Sequence, residues 1–259
     1  MRDPHVNSLL YRLECPPSTF QNPSPVRHET PTFDITLADQ KVKFEFKEHY
    51  ATEKAAQESV AHFLRAWEID AGLTMGPGVL RFVYERADVI DRNPPPAGET
   101  QLIGVVGIPS GEAWAIGTLT VARPAYPDPP KVFKVSPDVE TMWNRYEGYV
   151  AGREPLPAMA YFCLTVILTR AGNRQSAAQA YNIQLGVLRK LAEITSCHGD
   201  AATARKMVET LIPHTRQELA WIEAVVKAII RRVAEVEGGQ SGPQISMSDF
   251  PALLLVSTS

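Results

Sequence analysis

Two stretches of this 259-residue chain carry side chains whose types and spacing could do chemistry. The first is Leu191–Lys206, LAEITSCHGDAATARK, where His198, Asp200, Arg205 and Lys206 bring together an imidazole, a carboxylate and two cations. Gly199 lets the chain turn there, and a helix starting near Asp200 or Thr203 would offer unpaired backbone N–H groups to an anion. An N-cap at either residue, followed by a solvated basic pair, accounts for the same letters without a ligand. Cys197 beside His198 does not make a thiol–imidazole couple, because adjacent residues on a helix point apart and a nucleophile needs its base to converge on it.

The second stretch is Ser176–Lys190, SAAQAYNIQLGVLRK, which has the spacing of a helix-turn-helix. Small residues Ala177 and Ala178 let two helices touch, Tyr181 and Ile183 anchor the turn, and Leu188 and Leu191 hold the second helix. The turn residue is Asn182, which tolerates the left-handed backbone that such a corner needs. Contacts to a nucleic acid would fall to Gln184, Arg189 and Lys190, a smaller basic set than a DNA reader normally presents. Two bundle helices joined by a short turn give the same spacing.

Other chemistry-bearing types are scattered. Gly76-Pro77-Gly78 and Gly104-Val105-Val106-Gly107 lack the strand and helix context of a phosphate-cradling loop, so they read as turn and strand glycines and no cofactor is expected. His5, His28, His49 and His62 lack metal-ligand spacing and read as surface or core histidines, with no metal expected. No serine sits in a nucleophile elbow. Three cysteines, Cys15, Cys163 and Cys197, are odd in number and far apart, which argues against a disulfide framework and for a reducing cytoplasm. The chain opens with no secretory signal pattern.

The elements that would position these residues fall into two groups. Toward the C-terminus the helix signals are dense. From Thr215 the sequence TRQELAWIEAVVKAIIRRVAEVE repeats apolar residues at three- and four-residue steps through Leu219, Ile222, Val225, Val226, Ile229, Ile230, Val233 and Val236. Thr215 with Glu218 forms a capping box, and Gly238-Gly239 stops the helix. Arg216, Lys227, Arg231 and Arg232 fall off the stripe and read as a solvated face. Leu156–Leu168 is apolar almost all round, too short to span a membrane, and so reads as the central helix of a bundle. Asp138–Val150 is a further helix.

Toward the N-terminus, strand patterns dominate. Ser8–Glu14 reads as a strand, and Cys15–Pro31 with its five prolines as an irregular wrap. Phe33–Leu37 and Val42–Phe46 alternate around Ala38-Asp39-Gln40 as a hairpin. Thr52–Trp67 is an amphipathic helix broken by Gly72, Gly76, Pro77 and Gly78, and Val79–Ile90, Gln101–Ile108 and Ala113–Ala122 are strands, the last two joined through Pro109-Ser110-Gly111. The expected fold is α+β: an antiparallel β-sheet domain with one packed helix over residues 1–137, and an all-α helical bundle with an apolar tail over 138–259. Charge divides the same way, with fifteen Lys/Arg against twenty Asp/Glu before Arg153 and eleven against nine from it onward. That asymmetry permits an anionic partner for the helical part without demanding one.

A β-rich first half, then Tyr146–Pro157 (YEGYVAGREPLP) leading into an apolar helix and further helices, resembles proteins ending in a HEPN-type helical domain, found in bacterial defence and toxin RNases. Val187–Lys206 together with Gly242–Leu253 (GPQISMSDFPAL) also resembles an uncharacterised bacterial protein family of unassigned function. The HEPN resemblance implies a metal-independent RNase, whose signature is an arginine a few residues ahead of a histidine on one helix. Here Arg189 precedes His198 by nine positions and no other arginine fits, which implies a non-catalytic dimerisation bundle. Three classes therefore stand open: a cytoplasmic interaction or regulatory protein that forms homo-oligomers or takes a protein partner, a HEPN-type RNase, and a helix-turn-helix DNA-binding regulator. The hydrophobic tail after Gly238 is expected to dock on an apolar groove, that of the same molecule's N-terminal domain or of a neighbour's.

Overall fold

The computed structural model describes residues 3–16, 19–93, 123–197 and 213–253. The chain is an α+β protein that divides into two compact units, Met1–Pro130 and Lys131–Ser259. The strands expected at Gln101–Ile108 and Ala113–Ala122, the turn between them and the Gly104–Gly107 cluster lie outside the described residues.

The first unit is built on an antiparallel sheet in the order β3-β4-β5-β1-β6. Strand β1 (Pro4–Glu14) lies between the central β5 (Lys41–Phe46) and the edge strand β6 (Arg81–Asp91). Alternation decides which side is buried. Val6, Leu9, Tyr11 and Leu13 of β1, Phe33, Ile35 and Leu37 of β4 (Phe33–Ala38), and Val42 and Phe44 of β5 all enter one core. Helix α1 (Glu53–Met75) supplies the other half of that core through Ala56, Val60, Leu64 and Trp67. The aromatic rings interlock edge to face: Phe33 meets Phe44 and Phe63 at centroid separations of 5.3 and 5.6 Å. Each such pair contributes about 0.5–1.5 kcal/mol beyond its buried area.

Local chemistry explains the joints. Asp39 and Gln40 take φ of 49° and 58°, the paired left-handed residues of a two-residue hairpin turn between β4 and β5. Thr52 caps α1 by accepting from the Ala55 N–H. The helix runs past the break expected at Gly72, because Gly72 is buried within it and the chain turns only at Gly76, where φ reaches 107°. The proline-rich wrap also contains order: β2 (Phe20–Ser24) pairs in parallel with β7 (Arg123–Ala125), and β3 (Val26–Glu29) pairs with β4 at the sheet margin. Prolines 23 and 25 flank or occupy marginal positions, where a missing N–H removes no ladder bond from the central strands.

In the second unit, helix α3 (Leu156–Ala171) is central. It packs against α2 (Pro137–Val150), α4 (Arg174–Ala180), α5 (Leu185–Cys197) and α6 (Arg216–Glu237). Met159, Ala160, Cys163, Leu164 and Ile167 are fully buried, as an all-round apolar helix requires. The capping box at Thr215 and Glu218 is formed, and the apolar stripe of α6 is buried from Trp221 to Ala234. Leu219, one residue of the expected stripe, stays 36 % exposed in the first turn.

Candidate functional site

The helix-turn-helix stretch folds as α4, a tight corner and α5, with Asn182 at φ 48° in the left-handed region. Ala177, Ala178, Tyr181, Ile183, Leu188 and Leu191 are buried in the bundle, so the small and apolar positions of the pattern serve helix packing. What covers the corner is the chain's own tail. Ile245 donates its N–H to the Asn182 carbonyl at 3.0 Å, and Gln184 donates its N–H to the Ile245 carbonyl at 2.7 Å, a short parallel bridge. The Asn182 amide donates to the Gly242 carbonyl at 3.0 Å, and the Gln184 side-chain oxygen accepts from the Met247 N–H at 3.0 Å. A single 3-10 turn, Met247–Asp249, follows under a Ser246–Asp249 capping box, and Phe250 meets the Trp221 ring edge to face at 5.9 Å.

The centre of this arrangement is Arg232. Expected on a solvated face, it is only 4 % exposed. Its guanidinium donates to the carbonyls of Tyr181 and Asn182 at 3.1 Å each, to Pro243 at 2.7 Å, and to the Glu235 carboxylate at 3.0 Å. The planar fork therefore ties helix α6, the α4–α5 corner and the tail together, using donors in the fixed directions that a lysine lacks. Gly242 sits against this group: a Cβ there would come within 3.3 Å of the Arg232 Nη2. The period of α6 places Arg232 beside the buried Val233, and the carbonyls displayed by the corner and the tail, with the Glu235 carboxylate, make its burial favourable.

The described part of the tail lies on its own helical unit, with Phe250 against Trp221, and the expected apolar residues after Leu253 lie outside the described residues. Its residues from Gly242 to Leu253 are half-buried or exposed, and main-chain hydrogen bonds hold it. Of the residues assigned to nucleic-acid contact, Gln184 is engaged by the tail, Lys190 pairs with Glu193 at 2.8 Å, and Arg189 is exposed. A recognition helix reads base edges with its N-terminal residues, and here the N-terminal end of α5 lies against Met247, whose Cγ is 4.0 Å from the position of a Gly186 Cβ. His198, Asp200, Arg205 and Lys206 lie outside the described residues. His214 lies with its Nε2 3.3 Å from the Ile194 carbonyl.

A second polar cluster links α2 and α6. The Glu223 carboxylate accepts from the hydroxyls of Tyr146 at 3.0 Å and Tyr149 at 3.3 Å, and from Lys227 Nζ at 2.9 Å. Desolvation would raise its pKa, but the Lys227 ammonium and the two phenols outweigh that and hold it below the usual carboxylate value. Burial, then the Glu223 charge, pushes both tyrosines up. The Lys227 ammonium also lies 5.6 Å from the Tyr146 ring centre, so this residue too is tied into the bundle.

In the first unit, the structure joins two histidines that no sequence spacing connects. His5 opens β1 and His49 lies between β5 and α1; the bond from Val6 N–H to the Tyr50 carbonyl, at 2.8 Å, draws the two segments together. Their Nδ1 atoms are 3.3 Å apart, and the rings stack with centroids 5.2 Å apart. The Asp3 carboxylate stands 3.5 Å from His49 Nε2. Burial, then the charges of Arg92 and His49, lowers the pKa of His5 against an opposing pull from Asp3. Only the strand register, Pro4 opposite Asp91 and His5 opposite Ile90, could have signalled that this end of the sheet collects charged and imidazole groups.

Among the described residues no three His, Cys, Asp or Glu side chains converge as metal ligands, and no helix is long and apolar enough to cross a membrane. No family model matches the chain, and neither a curated protein nor a solved structure matches it.

Proposed function

We propose that this chain is a non-enzymatic interaction or regulatory protein whose helical unit holds an extended peptide segment at the α4–α5 corner. The observation that carries this reading is the seating of Gly242–Phe250 on that corner through Asn182, Gln184 and Arg232. Such a corner has the features of a peptide-holding surface: main-chain groups on both sides of Ile183 that bond an extended segment, a side-chain amide on each flank, and a guanidinium beneath. Its natural partners are protein segments, from a second copy of the chain or from another protein, recognised through main-chain hydrogen bonds.

The engagement of Gln184 and the cover over the first turn of α5 weigh against duplex DNA as the ligand of this corner. An anisotropy titration with labelled RNA and duplex DNA at about 50 and about 200 mM salt tests the reading, since phosphate contacts weaken steeply over that range. The expected outcome is no salt-dependent binding and no RNA cleavage. RNA cleavage lost in His198→Ala or Arg205→Ala would replace this reading with the RNase, and duplex binding lost in the double variant Arg189→Ala, Lys190→Ala would replace it with the DNA regulator.

A further inference from the structure

We infer that His5 and His49 form a binding site for a divalent transition metal of imidazole preference, such as zinc, held through their two Nδ1 atoms. Two imidazole nitrogens on one tetrahedral zinc, each about 2.0–2.1 Å from the metal, stand about 3.3–3.4 Å apart. The observed Nδ1 to Nδ1 separation, 3.3 Å, matches that span, and the metal would take the place of the proton that the two rings can share. The Asp3 carboxylate lies 3.5 Å from the opposite nitrogen of His49, where it favours the tautomer with the proton on Nε2 and leaves the Nδ1 lone pair turned to His5. That is the carboxylate–histidine arrangement that orients a metal ligand.

The surroundings set the strength and the openness of the site. His5 is 4 % exposed, fixed in the start of β1, whereas the His49 side chain is 38 % exposed, so an ion reaches the pair from the His49 side. The Asp91 carboxylate accepts from the Asp3 and Asn93 N–H groups at 3.0 Å and holds the Asp3 backbone in place. Arg92 opposes a cation, as its effect on His5 shows. Two protein ligands leave two tetrahedral positions for water or for a donor from a partner, which makes this an open site rather than a closed structural one. It stands independently of the peptide-holding corner.

Calorimetric titration of the full chain with Zn²⁺ at about pH 7.5 tests the assignment. One Zn²⁺ per chain is expected, with affinity reduced at least about tenfold in His49→Ala and about tenfold in Asp3→Asn, whose role is to orient the ligand. Affinity also falls as pH drops through the imidazole range, because protons compete for the same nitrogens. Since His49 is partly exposed, His49→Ala leaves the fold intact, and Zn²⁺ should raise the unfolding temperature of the wild type but not of that variant. Binding unchanged in His49→Ala, or lost in the control His62→Ala, would overturn the assignment, as would no binding up to about 1 mM Zn²⁺.

Discussion

The Arg232 corner of the helical unit and the histidine pair of the sheet unit are both polar groups gathered from distant parts of the chain, yet they differ in how far their bonding is complete. Around Arg232 four acceptors meet donors in the directions a guanidinium provides, and the group is buried. At His5 and His49 two ring nitrogens face each other, with a carboxylate behind one of them and an arginine nearby. A satisfied network fixes structure, because every alternative leaves a buried group unpaired. A pair of facing imidazole nitrogens, whose shared proton can leave, can exchange that proton for a metal ion. The contrast separates a corner whose bonds already seat the chain's own tail from a histidine pair that, under our proposal, takes an ion from solution.

The largest expected effect breaks the satisfied region. Arg232→Met keeps the length of the side chain and removes all its donors, leaving the carbonyls of Tyr181, Asn182 and Pro243 and the Glu235 carboxylate without them. A loss of about 2–4 kcal/mol is expected, from at least one buried acceptor left unmet at about 1–3 kcal/mol and a charged hydrogen bond lost besides. Urea unfolding measures it, and an unchanged midpoint would show that the corner does not depend on Arg232. Glu223→Gln in the second cluster should cost less, about 1–2 kcal/mol, since the amide still accepts one phenol but loses the Lys227 ion pair. A cost equal to that of Arg232→Met would blur the distinction between a lock and a supporting contact. Thr215→Ala removes the capping box of α6 for about 1 kcal/mol.

The histidine pair should show itself through pH. The folded pKa of His5 lies below the ordinary value near 6.5, so the unfolded chain binds more protons there. This contribution is therefore fully present above about pH 6.5 and is lost as pH falls from there toward the depressed folded value. Burial is the largest cause, but His49 is one of the charges that adds to it, so His49→Ala should flatten that part of the stability profile. An identical profile in wild type and variant would show that the two rings do not sense each other. At lower pH Glu223 gives the opposite group's version of the same loss: its folded pKa is depressed, so stability present above the ordinary carboxylate value disappears as pH falls through the folded one.

Much of the architecture was readable because it is local. The hairpin of β4 and β5 follows from two alternating runs and a left-handed turn at Asp39 and Gln40, and α6 from its period and its Thr215–Glu218 box. The order within Cys15–Pro31 was not legible, since β2 and β3 are short and proline-bearing and owe their pairing to partners elsewhere, β7 and β4. Gly72 looked like a helix end because glycine is a poor helix former, but its burial in α1 against the sheet core outweighs that preference. Arg232 resembled a surface residue because the carbonyls that receive it come from Tyr181, Asn182 and Pro243, which no helix period reveals. His5 and His49 were separate letters until the bond from the Val6 N–H to the Tyr50 carbonyl set them side by side. Of the candidate site, Gln184 lies at the α4–α5 corner and Arg189 and Lys190 lie within α5, and the spacing said nothing of the tail that engages Gln184.

Hydrogen exchange at the amides of Gln184, Ile245 and Met247 tests the central claim most directly, that the α4–α5 corner is a site for an extended segment and is held by its own tail. These three N–H groups donate across the corner at 2.7, 3.0 and 3.0 Å. Slow exchange is expected in the wild type, with protection lost together at all three in Arg232→Met while the amides of α3 stay protected. Rapid exchange of the three amides in the wild type would contradict the account, because a tail that is not held there leaves nothing to mark the corner as a peptide site.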